Sequence, residues 1–449
     1  MSWTSTWIAK AVHGTLRGEN TVISGSVSTD SRQIGPGDLY VARTGQNSDG
    51  HQYLAQAQAA GATAALVSEA SAVPEGFSAV VVDDTTRALG VFAHAHLKTL
   101  SAKVLGITGS VGKTTTKDQL AAICAAQGET VAPEKSYNNE VGVPLTVLRA
   151  GSDTRYLVLE MGTSGMGELA YLTSIAPLDI GIELKVGTAH LGGFGSITNL
   201  ASAKAELLAG IKKGGVAILN HDDPYIREMK YEGERLYFGA GTDYRVLRSG
   251  SDSQGHLELL LSLAGEEYEL HSGLVGEHNA VNLLAAITAA AAAGIDTQSA
   301  VDALQGRGPV SDHRMKVQLV GDIKVIDDSY NANPDSMRSG LDALAVLAKH
   351  RKVAVLGSML ELGEQEVQLH REIGTYIDRL GIDLLITVGH PADEIAAGAV
   401  KTPSVSAESA DEAITIIRDS IGPSDTVLLK GSNASGVYRI ADTFLTEVA

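Results

Sequence analysis

Cysteine is nearly absent from this 449-residue sequence, which contains Cys124 alone. A disulfide cannot form within the chain, so we expect a reducing, cytoplasmic location. Cys124 lies on the apolar face of a predicted helix, where packing into the core is a far more common role for cysteine than nucleophilic chemistry.

Long apolar runs are also missing. The alanine-rich stretch of residues 285–294 is shorter than the ~20 apolar residues that a membrane-spanning helix needs. Residues 1–8 show no basic segment followed by an apolar run, so we expect no signal peptide. The sequence therefore predicts a chain without a membrane span.

Positive charge is scarce, with 35 lysine and arginine residues against 53 aspartate and glutamate residues. The formal net charge of −18 argues against general nucleic-acid binding. Any anionic substrate must therefore be attracted by local groups and not by the overall field. The hydrophobic share of 44% and the charged share of 20% are those of an ordinary globular protein. The length predicts two or three domains.

The chain is organised around residues 104–116, which read VLGITGSVGKTTT. A short apolar run leads into a glycine-containing turn, and a predicted helix over residues 117–127 follows. Strand, turn and helix in this order are what a phosphate-binding loop requires. Gly109 and Gly112 allow successive N–H groups to point at phosphate oxygens. The helix N-terminus adds partial positive charge.

The loop departs from the standard phosphate-loop spacing by one residue, since Gly106 lies one position early and Ile107 occupies its place. We interpret it as an ATP site, in preference to a glycine- and threonine-rich surface turn. Lys113 can reach the terminal phosphates, and the Thr114 hydroxyl can hold Mg²⁺. The predicted ATP-binding residues of the loop are Thr108, Gly109, Ser110, Val111, Gly112, Lys113, Thr114 and Thr115.

Between residue 104 and about residue 308, strands and helices alternate, which predicts a parallel sheet with ligands at the carboxyl ends of its strands. The strand over residues 156–160 ends on Glu160. Because a buried carboxylate without a partner is costly, we predict that Glu160 binds Mg²⁺. His190 follows the next apolar strand, and the sequence pattern leaves open whether it is a ligand or a loop histidine.

Two predicted helices carry polar residues that could have a functional or a structural role. Asn279 and Asn282 are one helical turn apart and share a face, which suits hydrogen bonds to a base edge, with helix capping as the alternative. Lys204 lies on a predicted helix over residues 197–210, where a solvated surface lysine is the more common role.

Residues 1–98 alternate short strands and helices. Polar residues in their turns could line a site for an anionic ligand, but aspartate, serine and glycine are also what turns need. On composition alone, turn formation is favoured. The candidate ligand-binding residues are Ser28, Ser31, Arg32, Thr44 and His51.

The C-terminal part alternates strands over residues 323–327, 352–356 and 384–388 with helices, which predicts a doubly wound α/β domain with a Rossmann-like sheet. It lacks Gly-x-Gly-x-x-Gly after its first strand, so we do not expect NAD. A turn-rich linker at residues 306–314 precedes it. We predict an α/β protein of three domains, comprising residues 1–98, a central P-loop domain of residues 99–308 with a small antiparallel insert over residues 236–270, and residues 309–449.

Four further stretches are distinctive: NNEVGVP at residues 138–144, HLGGFG at 190–195, DDSYNANPD at 327–335 and MLELG at 359–363. Together with the phosphate loop they resemble the Mur ligases, three-domain ATP-dependent enzymes that form amide bonds in peptidoglycan precursor synthesis. The resemblance covers nearly the whole chain. Within the family, the order and spacing of these stretches resemble those of the member that adds D-Ala-D-Ala. The Asp-Asn-Pro-Arg signature of the diamino-acid-adding relative is absent from this sequence.

The resemblance implies catalytic roles for Lys113, Glu160, His190 and Lys204. Lys113 would bind ATP phosphates, and Thr114, Glu160 and His190 would hold two Mg²⁺ ions. Lys204 matches the lysine that CO₂ carbamylates in family members. Carbamylation makes an anion that can bridge or orient Mg²⁺, whereas an ammonium would repel it.

The resemblance also implies the ligand contacts. Adenine, ribose and phosphate contacts would come from Asn279, Asn282, Arg314, Asp328, Tyr330 and Asn331. The UDP-sugar substrate would contact Ser28, Ser31, Arg32, Thr44 and, more distantly, Asn138 and Asn139, with His51 a further candidate in the same segment.

Three positions depart from the family pattern. Ser358 stands where Gly-Asp-Met is usual, and Asn433 stands where Lys-Gly-Ser-Arg is typical. Gly192 occupies the second position after His190, where many family members have glutamate. The first two bear on recognition of the amine substrate.

The implied reaction starts from the terminal carboxylate of UDP-MurNAc-tripeptide, which attacks the γ-phosphate of ATP. The amine of D-Ala-D-Ala then attacks the acyl phosphate, which must be shielded from water. We expect the C-terminal domain to close over the central one about the linker at residues 306–309. A monomer is the default, and the sequence leaves lysine or meso-diaminopimelate open at the third peptide position.

Three rival functions remain. Another ligase of the same fold, of the folylpolyglutamate or cyanophycin type, is disfavoured by the first-domain candidates and by Asn138 and Asn139. A P-loop ATPase switch would not need Lys204 and His190 together with the loop at residues 328–335. A paralogue that only binds a UDP-sugar would not need Lys113, Glu160 and Lys204.

Overall fold

The computed structural model describes residues 2–45, 48–134, 136–187 and 191–446. In this part of the chain the strands gather into three sheets of five, nine and six strands, besides one two-stranded pair. The three sheets follow one another along the sequence, each with its own helices. The predicted three-part α/β architecture is confirmed.

The first unit contains short strands and three α-helices. They are β1 (Trp3–Thr4), α1 (Ser5–Ala11), β2 (Thr15–Arg17), β3 (Val22–Ile23), β4 (Val27–Ser28), β5 (Leu39–Val41), α2 (Leu54–Ala59), β6 (Ala64–Val67), β7 (Ser78–Val81) and α3 (Thr85–Leu97). The sheet order is β2-β7-β6-β5-β4, and the pairs are parallel except for β2 with β7. Strands β1 and β3 form the separate antiparallel pair.

The first unit is joined to the second through His96 of α3. His96 Nδ1 accepts a hydrogen bond from Trp3 Nε1 at 3.2 Å, and Nε2 donates to the Ala150 carbonyl oxygen at 2.9 Å. One nitrogen accepts while the other donates, so the ring is neutral. Burial favours this state, because it lowers the pKa of His96.

The second unit is the largest. Its elements are β8 (Lys103–Thr108), α4 (Lys113–Ala125), β9 (Thr130–Val131), α5 (Gly142–Val147), β10 (Tyr156–Glu160), α6 (Glu168–Ile175), β11 (Leu178–Glu183), α7 (Leu191–Phe194), α8 (Ile197–Ala209), β12 (Ile211–Asn220), α9 (Pro224–Arg227), β13 (Glu234–Phe238), β14 (Tyr244–Ser251), β15 (His256–Leu263), β16 (Glu266–Val275), α10 (Asn279–Ala292) and α11 (Thr297–Leu304). The sheet order is β16-β15-β14-β13-β12-β11-β8-β10-β9.

Helix α10 is buried behind the phosphate loop. It packs on α4 and on the sheet, and its alanines from Ala285 to Ala290 are completely buried. A helix that is apolar on every face is a core helix, and small side chains allow close packing of its backbone. Its N-terminal residues are thereby held against the loop.

The third unit is a doubly wound domain. Its elements are β17 (Lys316–Val320), β18 (Ile323–Asp327), α12 (Pro334–Leu347), β19 (Lys352–Gly357), α13 (Glu366–Leu380), β20 (Leu384–Val388), α14 (Asp393–Gly398), β21 (Ser404–Ala407), α15 (Ala410–Ser420), β22 (Thr426–Lys430) and α16 (Val437–Thr446). The sheet order is β17-β18-β22-β19-β20-β21, with β17 antiparallel to β18 and the rest parallel. Within the described ranges, every helix falls short of the length and apolarity that crossing a bilayer demands.

Two helices begin earlier than the sequence pattern predicts. Helix α4 starts at Lys113 and not at residue 117, because Gly112 adopts φ 84° and turns the chain directly into the helix. Helix α12 starts at Pro334, whereas the sequence pattern predicts a helix over residues 337–349. Here Asn333 and Ser336 form a capping box, which satisfies the first free N–H groups.

The predicted antiparallel insert is part of the main sheet. Strands β14, β15 and β16 are antiparallel to one another, as expected, but β13 pairs in parallel with both β12 and β14. The free edge of β12 is thus extended by β13 and the three antiparallel strands, so the insert shares the core of the second unit.

We predict that Phe92→Ala destabilises the first unit by about 3–5 kcal/mol. Phe92 of α3 is completely buried and lies edge-on to Trp3 and Trp7, with ring centroids 5.3 and 6.0 Å away. These are the two tryptophans of the chain, so tryptophan fluorescence during urea unfolding reports on this unit. Val91→Ala, at a 38% exposed neighbour, is the control. An unchanged midpoint for Phe92→Ala would contradict the packing described.

Candidate functional site

A cavity of about 1300 Å³ lies where the second and third units meet. It opens at the carboxyl ends of β8, β10, β11 and β12 and faces the loop after β18. Carboxyl ends of parallel strands are where open α/β sheets bind ligands. The cavity is a large concave site in the described part of the chain.

Most of the predicted site residues line this cavity. They are Gly109, Ser110, Val111, Gly112, Lys113, Thr114, Thr115, Asn138, Asn139, Glu160, Lys204, Asn279, Asn282, Arg314, Asp328, Tyr330 and Asn331. They come from all parts of the second unit and from the start of the third. The alternation of strands and helices therefore brings distant sequence motifs to one place.

The phosphate loop curls around the N-terminus of α4. At Gly112 a Cβ would lie 2.2 Å from Asn282 Oδ1, and φ is 84°, so both space and backbone conformation require glycine. Lys113 Nζ donates to the Gly109 carbonyl oxygen at 2.7 Å and so lies over the loop. Thr108 is buried beneath the loop, and its hydroxyl lacks a hydrogen-bond partner in the described part of the chain.

Glu160 and Thr114 form the carboxylate–hydroxyl pair expected of a Mg²⁺ site. Thr114 Oγ1 donates to Glu160 Oε2 at 2.8 Å, and Asn138 Nδ2 donates to Oε1 at 2.7 Å. Within the described ranges, no three histidine, cysteine or acidic residues cluster as a metal site. Hard oxygen donors on a phosphate loop still suit Mg²⁺, which commonly uses one or two carboxylates together with phosphate oxygens and water.

Lys204 of α8 is 3% exposed. Burial is the main reason why the pKa of Lys204 falls to about 7, and the positive charge of Lys113 lowers it further. Glu183 and Asp223 act in the opposite direction. A large fraction of this amine is therefore uncharged at neutral pH, unlike a surface lysine. The prediction that residue patterns alone favour, a solvated helix lysine, is wrong for Lys204.

Glu183 is a buried carboxyl group that the sequence reasoning did not single out. It is the last residue of β11, is completely buried, and both its oxygens lack a hydrogen-bond partner among the described residues. Burial raises the pKa of Glu183 well above its usual range, and Lys204 partly opposes this. The sequence did contain a signal for this site residue, because Glu183 is an acidic residue within an apolar strand, as Glu160 is.

Asn279 and Asn282 line the cavity but also bond within the protein. Asn279 Nδ2 donates to the Val275 carbonyl oxygen, and Asn282 Nδ2 donates to Asn279 Oδ1, both at 2.8 Å. The predicted shared face is therefore real. The pair ties the start of α10 to the end of β16 and leaves Asn282 Oδ1 beside the phosphate loop.

The third unit reaches the phosphate loop through Arg314. Its guanidinium stacks on Tyr330, 4.1 Å from the ring centroid, and donates to the hydroxyls of Thr114 and Ser136, both at 3.3 Å. The stacking fixes the guanidinium plane, so that one cation bridges the two units at the loop.

Lys430 is a second residue missed as a site candidate. It is 1% exposed at the end of β22, and its ammonium donates to Asp328 Oδ2 at 2.5 Å and to the Asn331 carbonyl oxygen at 3.0 Å. Burial lowers the pKa of Lys430, and Asp328 opposes this shift. Lys430 thus orders the loop that carries Asp328, Tyr330 and Asn331.

The remaining predicted residues lie elsewhere. Five of them are in the first unit and do not line the cavity, namely Ser28, Ser31, Arg32, Thr44 and His51. Arg32 pairs with Asp30 and its side chain is 81% exposed. His51 is buried, with Nδ1 on Asp49 at 2.7 Å and Nε2 accepting from the Ser68 N–H at 3.0 Å. His190 lies outside the described residues.

Comparison with protein families gives three matches in chain order. Residues 25–96 match the Mur ligase family catalytic domain, residues 107–290 the Mur ligase middle domain, and residues 313–433 the Mur ligase glutamate ligase domain. Together the three matches include the candidate site residues of the cavity.

Curated relatives match over the full length. The UDP-N-acetylmuramoyl-tripeptide–D-alanyl-D-alanine ligase of Mycobacterium tuberculosis H37Rv is 39% identical over 95% of this chain and 93% of its own. The ligase of the same name from Escherichia coli K12 is 30% identical over 98% of both chains.

Solved structures agree with this similarity. MurF from Acinetobacter baumannii superposes with a TM-score of 0.90 at 30% identity and 99% coverage of both chains. The MurF ligase of Thermotoga maritima in complex with ADP gives a TM-score of 0.82 at 26% identity, covering 95% of this chain and 98% of that one.

Proposed function

This chain belongs to the Mur ligase family, and on that premise we propose that it is the ligase that adds D-Ala-D-Ala to UDP-MurNAc-tripeptide. The reaction forms one amide bond at the expense of ATP and gives ADP, phosphate and UDP-MurNAc-pentapeptide. The observation that carries the proposal is the cavity in which the phosphate loop, Lys204 and the loop after β18 face one another.

The first chemical step requires the substrate carboxylate to attack the γ-phosphate of ATP. Two anions must approach each other in line, so catalysis is mainly positioning and charge neutralisation. We assign this neutralisation to Lys113, the N–H groups of residues 109–112 and the N-terminus of α4. Mg²⁺ held by Thr114 and Glu160, and by His190 at a second ion, would neutralise phosphate oxygens further.

The second step requires the amine of D-Ala-D-Ala to reach the acyl carbon before water does. Arg314, which stacks on Tyr330 and bonds to Thr114, supports a role for the third unit in covering the phosphate loop. We propose that adenine and ribose contact Asn279, Asn282, Asp328 and Asn331. Closure of the third unit about residues 306–309 keeps the acyl phosphate from water.

Lys204 is proposed to react with CO₂. The free amine attacks the carbon of CO₂ and releases one proton, so that a neutral amine becomes an N-linked carbamate anion. A buried lysine with a pKa of about 7 suits this reaction, because the unprotonated amine is the nucleophile. The carbamate of Lys204 would supply a further oxygen ligand for Mg²⁺.

The first unit is proposed to hold the UDP-sugar end of the substrate through Ser28, Ser31, Arg32 and Thr44, with His51 as a supporting residue. Asn138 and Asn139 line the central cavity and would meet the substrate further along its length. We propose that the enzyme works as a monomer in the cytoplasm, where its nucleotide substrates occur.

Phosphate release from ATP should require UDP-MurNAc-tripeptide and D-Ala-D-Ala together, with UDP-MurNAc-pentapeptide found by mass spectrometry. Lys113→Met should lower kcat/KM by about 10²–10³-fold, because one electrostatic stabiliser of the transition state is lost. Lys98→Met, at an exposed lysine of the first unit, should behave like the unsubstituted enzyme.

Phosphate release without incorporation of the dipeptide would contradict the proposal and favour an ATPase switch or a ligase for another amine. The same assay with tripeptides that end in lysine or in meso-diaminopimelate decides the third residue. The tripeptide with the higher kcat/KM is the natural one.

Carbamylation of Lys204 should be visible by ¹³C NMR under ¹³CO₂ at fixed pressure. Below pH 7 the amine is mostly protonated, so the carbamate signal should rise steeply up to about pH 7 and less steeply above it, since the pKa of Lys204 is about 7. Lys204→Gln should remove the signal, and Lys98→Gln should keep it. A signal that persists in Lys204→Gln would contradict the assignment.

A further inference from the structure

The second and third units also touch through two glycines, away from the phosphate loop. Gly192 lies in the short helix α7, and its N–H donates to the Glu361 carbonyl oxygen at 3.2 Å. A Cβ at Gly192 would lie 2.5 Å from Gly363 N and 2.8 Å from Gly363 Cα. Real Cβ atoms do not approach backbone this closely, so the contact requires a residue without a side chain.

The contact also excludes a side chain at Gly363. A Cβ at Gly363 would lie 2.7 Å from Gly192 Cα, and Gly363 adopts φ 61°. Glu361 also adopts a positive φ, 62°, which is uncommon for a residue with a side chain. The loop after β19 is therefore shaped to present its backbone to Gly192.

This loop is firmly attached to the carboxyl edge of the third sheet. The Ser432 N–H donates to the Ser358 carbonyl oxygen at 2.9 Å, and the two hydroxyls are 3.3 Å apart. The Met359 N–H donates to His370 Nε2 at 3.0 Å. The loops after β19 and β22 are thus hydrogen-bonded to each other beside Asn433 and Lys430, and Lys430 lines the cavity.

We infer that Gly192 and Gly363 are positioning residues for amide-bond formation, and this inference rests on the proposed function. Their contact sets the distance between the carboxyl edge of the third sheet and the phosphate loop. The incoming amine must lie within ~3–3.5 Å of the acyl carbon, and a misplacement of ~1 Å can cost about 10²-fold in rate. The contact touches neither Lys113 nor Glu160, so the phosphate loop itself is left intact.

Gly192→Ala is the sharpest variant, because Gly192 has an ordinary negative φ and alanine favours the helix. The contacts then disturbed are those with Gly363 and with the Glu361 carbonyl oxygen, which would lie 3.1 Å from the added Cβ. With D-Ala-D-Ala we expect KM to rise and kcat to fall, giving about 10–100-fold lower kcat/KM. Phosphate released per pentapeptide formed should rise above one, because the acyl phosphate is less well shielded. The far-UV circular dichroism spectrum and the thermal unfolding midpoint should stay unchanged, which shows that the variant is folded.

Gly422→Ala is the matched control in the third unit, since no atom lies within 4 Å of its added Cβ and φ is not positive. It should keep the constants of the unsubstituted enzyme. Unchanged kcat, KM and coupling in Gly192→Ala, with pentapeptide formed by the unsubstituted enzyme, would overturn this role alone. Absence of pentapeptide with the unsubstituted enzyme would overturn the proposed function and this role with it.

Discussion

The organising constraint in this molecule is the burial of positive charge inside a protein with a formal net charge of −18. Lys113 and Arg314 face one cavity, and burial lowers the pKa of Lys113. Taking cationic groups out of water is costly unless anions accompany them. A polyphosphate and a carboxylate substrate supply such anions, so the cost is offset when the substrates bind. The buried cations thereby replace the attraction that the overall field cannot provide.

The arrangement of the three units follows from this cavity. The nine-stranded sheet brings the phosphate loop, Glu160 and Glu183 to one edge, because its central strands are parallel. The third unit supplies Arg314 and the loop held by Lys430, and it meets the second unit again at Gly192. A cation and a close backbone contact thus join the two units near the site.

Much of this could be predicted from the sequence, since strand, glycine turn and helix are local signals. The phosphate loop, the acid at the end of β10 and the alternating third unit are examples. The partners of Glu160 and the close approach at Gly192 are set by long-range packing, which periodicity does not encode. Burial of Lys204 and Glu183 depends on which sheet face α8 covers, so local composition favoured a solvated lysine. The continuation of the main sheet into β14–β16 depends on a free strand edge in the same way.

The central claim is that the substrate carboxylate attacks the γ-phosphate of ATP in this cavity before the amine of D-Ala-D-Ala reacts. The most direct measurement uses UDP-MurNAc-tripeptide labelled with ¹⁸O in its terminal carboxylate, followed by mass analysis of the phosphate released in the complete reaction. An acyl phosphate leaves one carboxylate oxygen on phosphorus, so the account predicts one ¹⁸O per phosphate released. Unlabelled phosphate alongside pentapeptide would contradict it, since the carboxylate would then have been activated without attack on phosphorus.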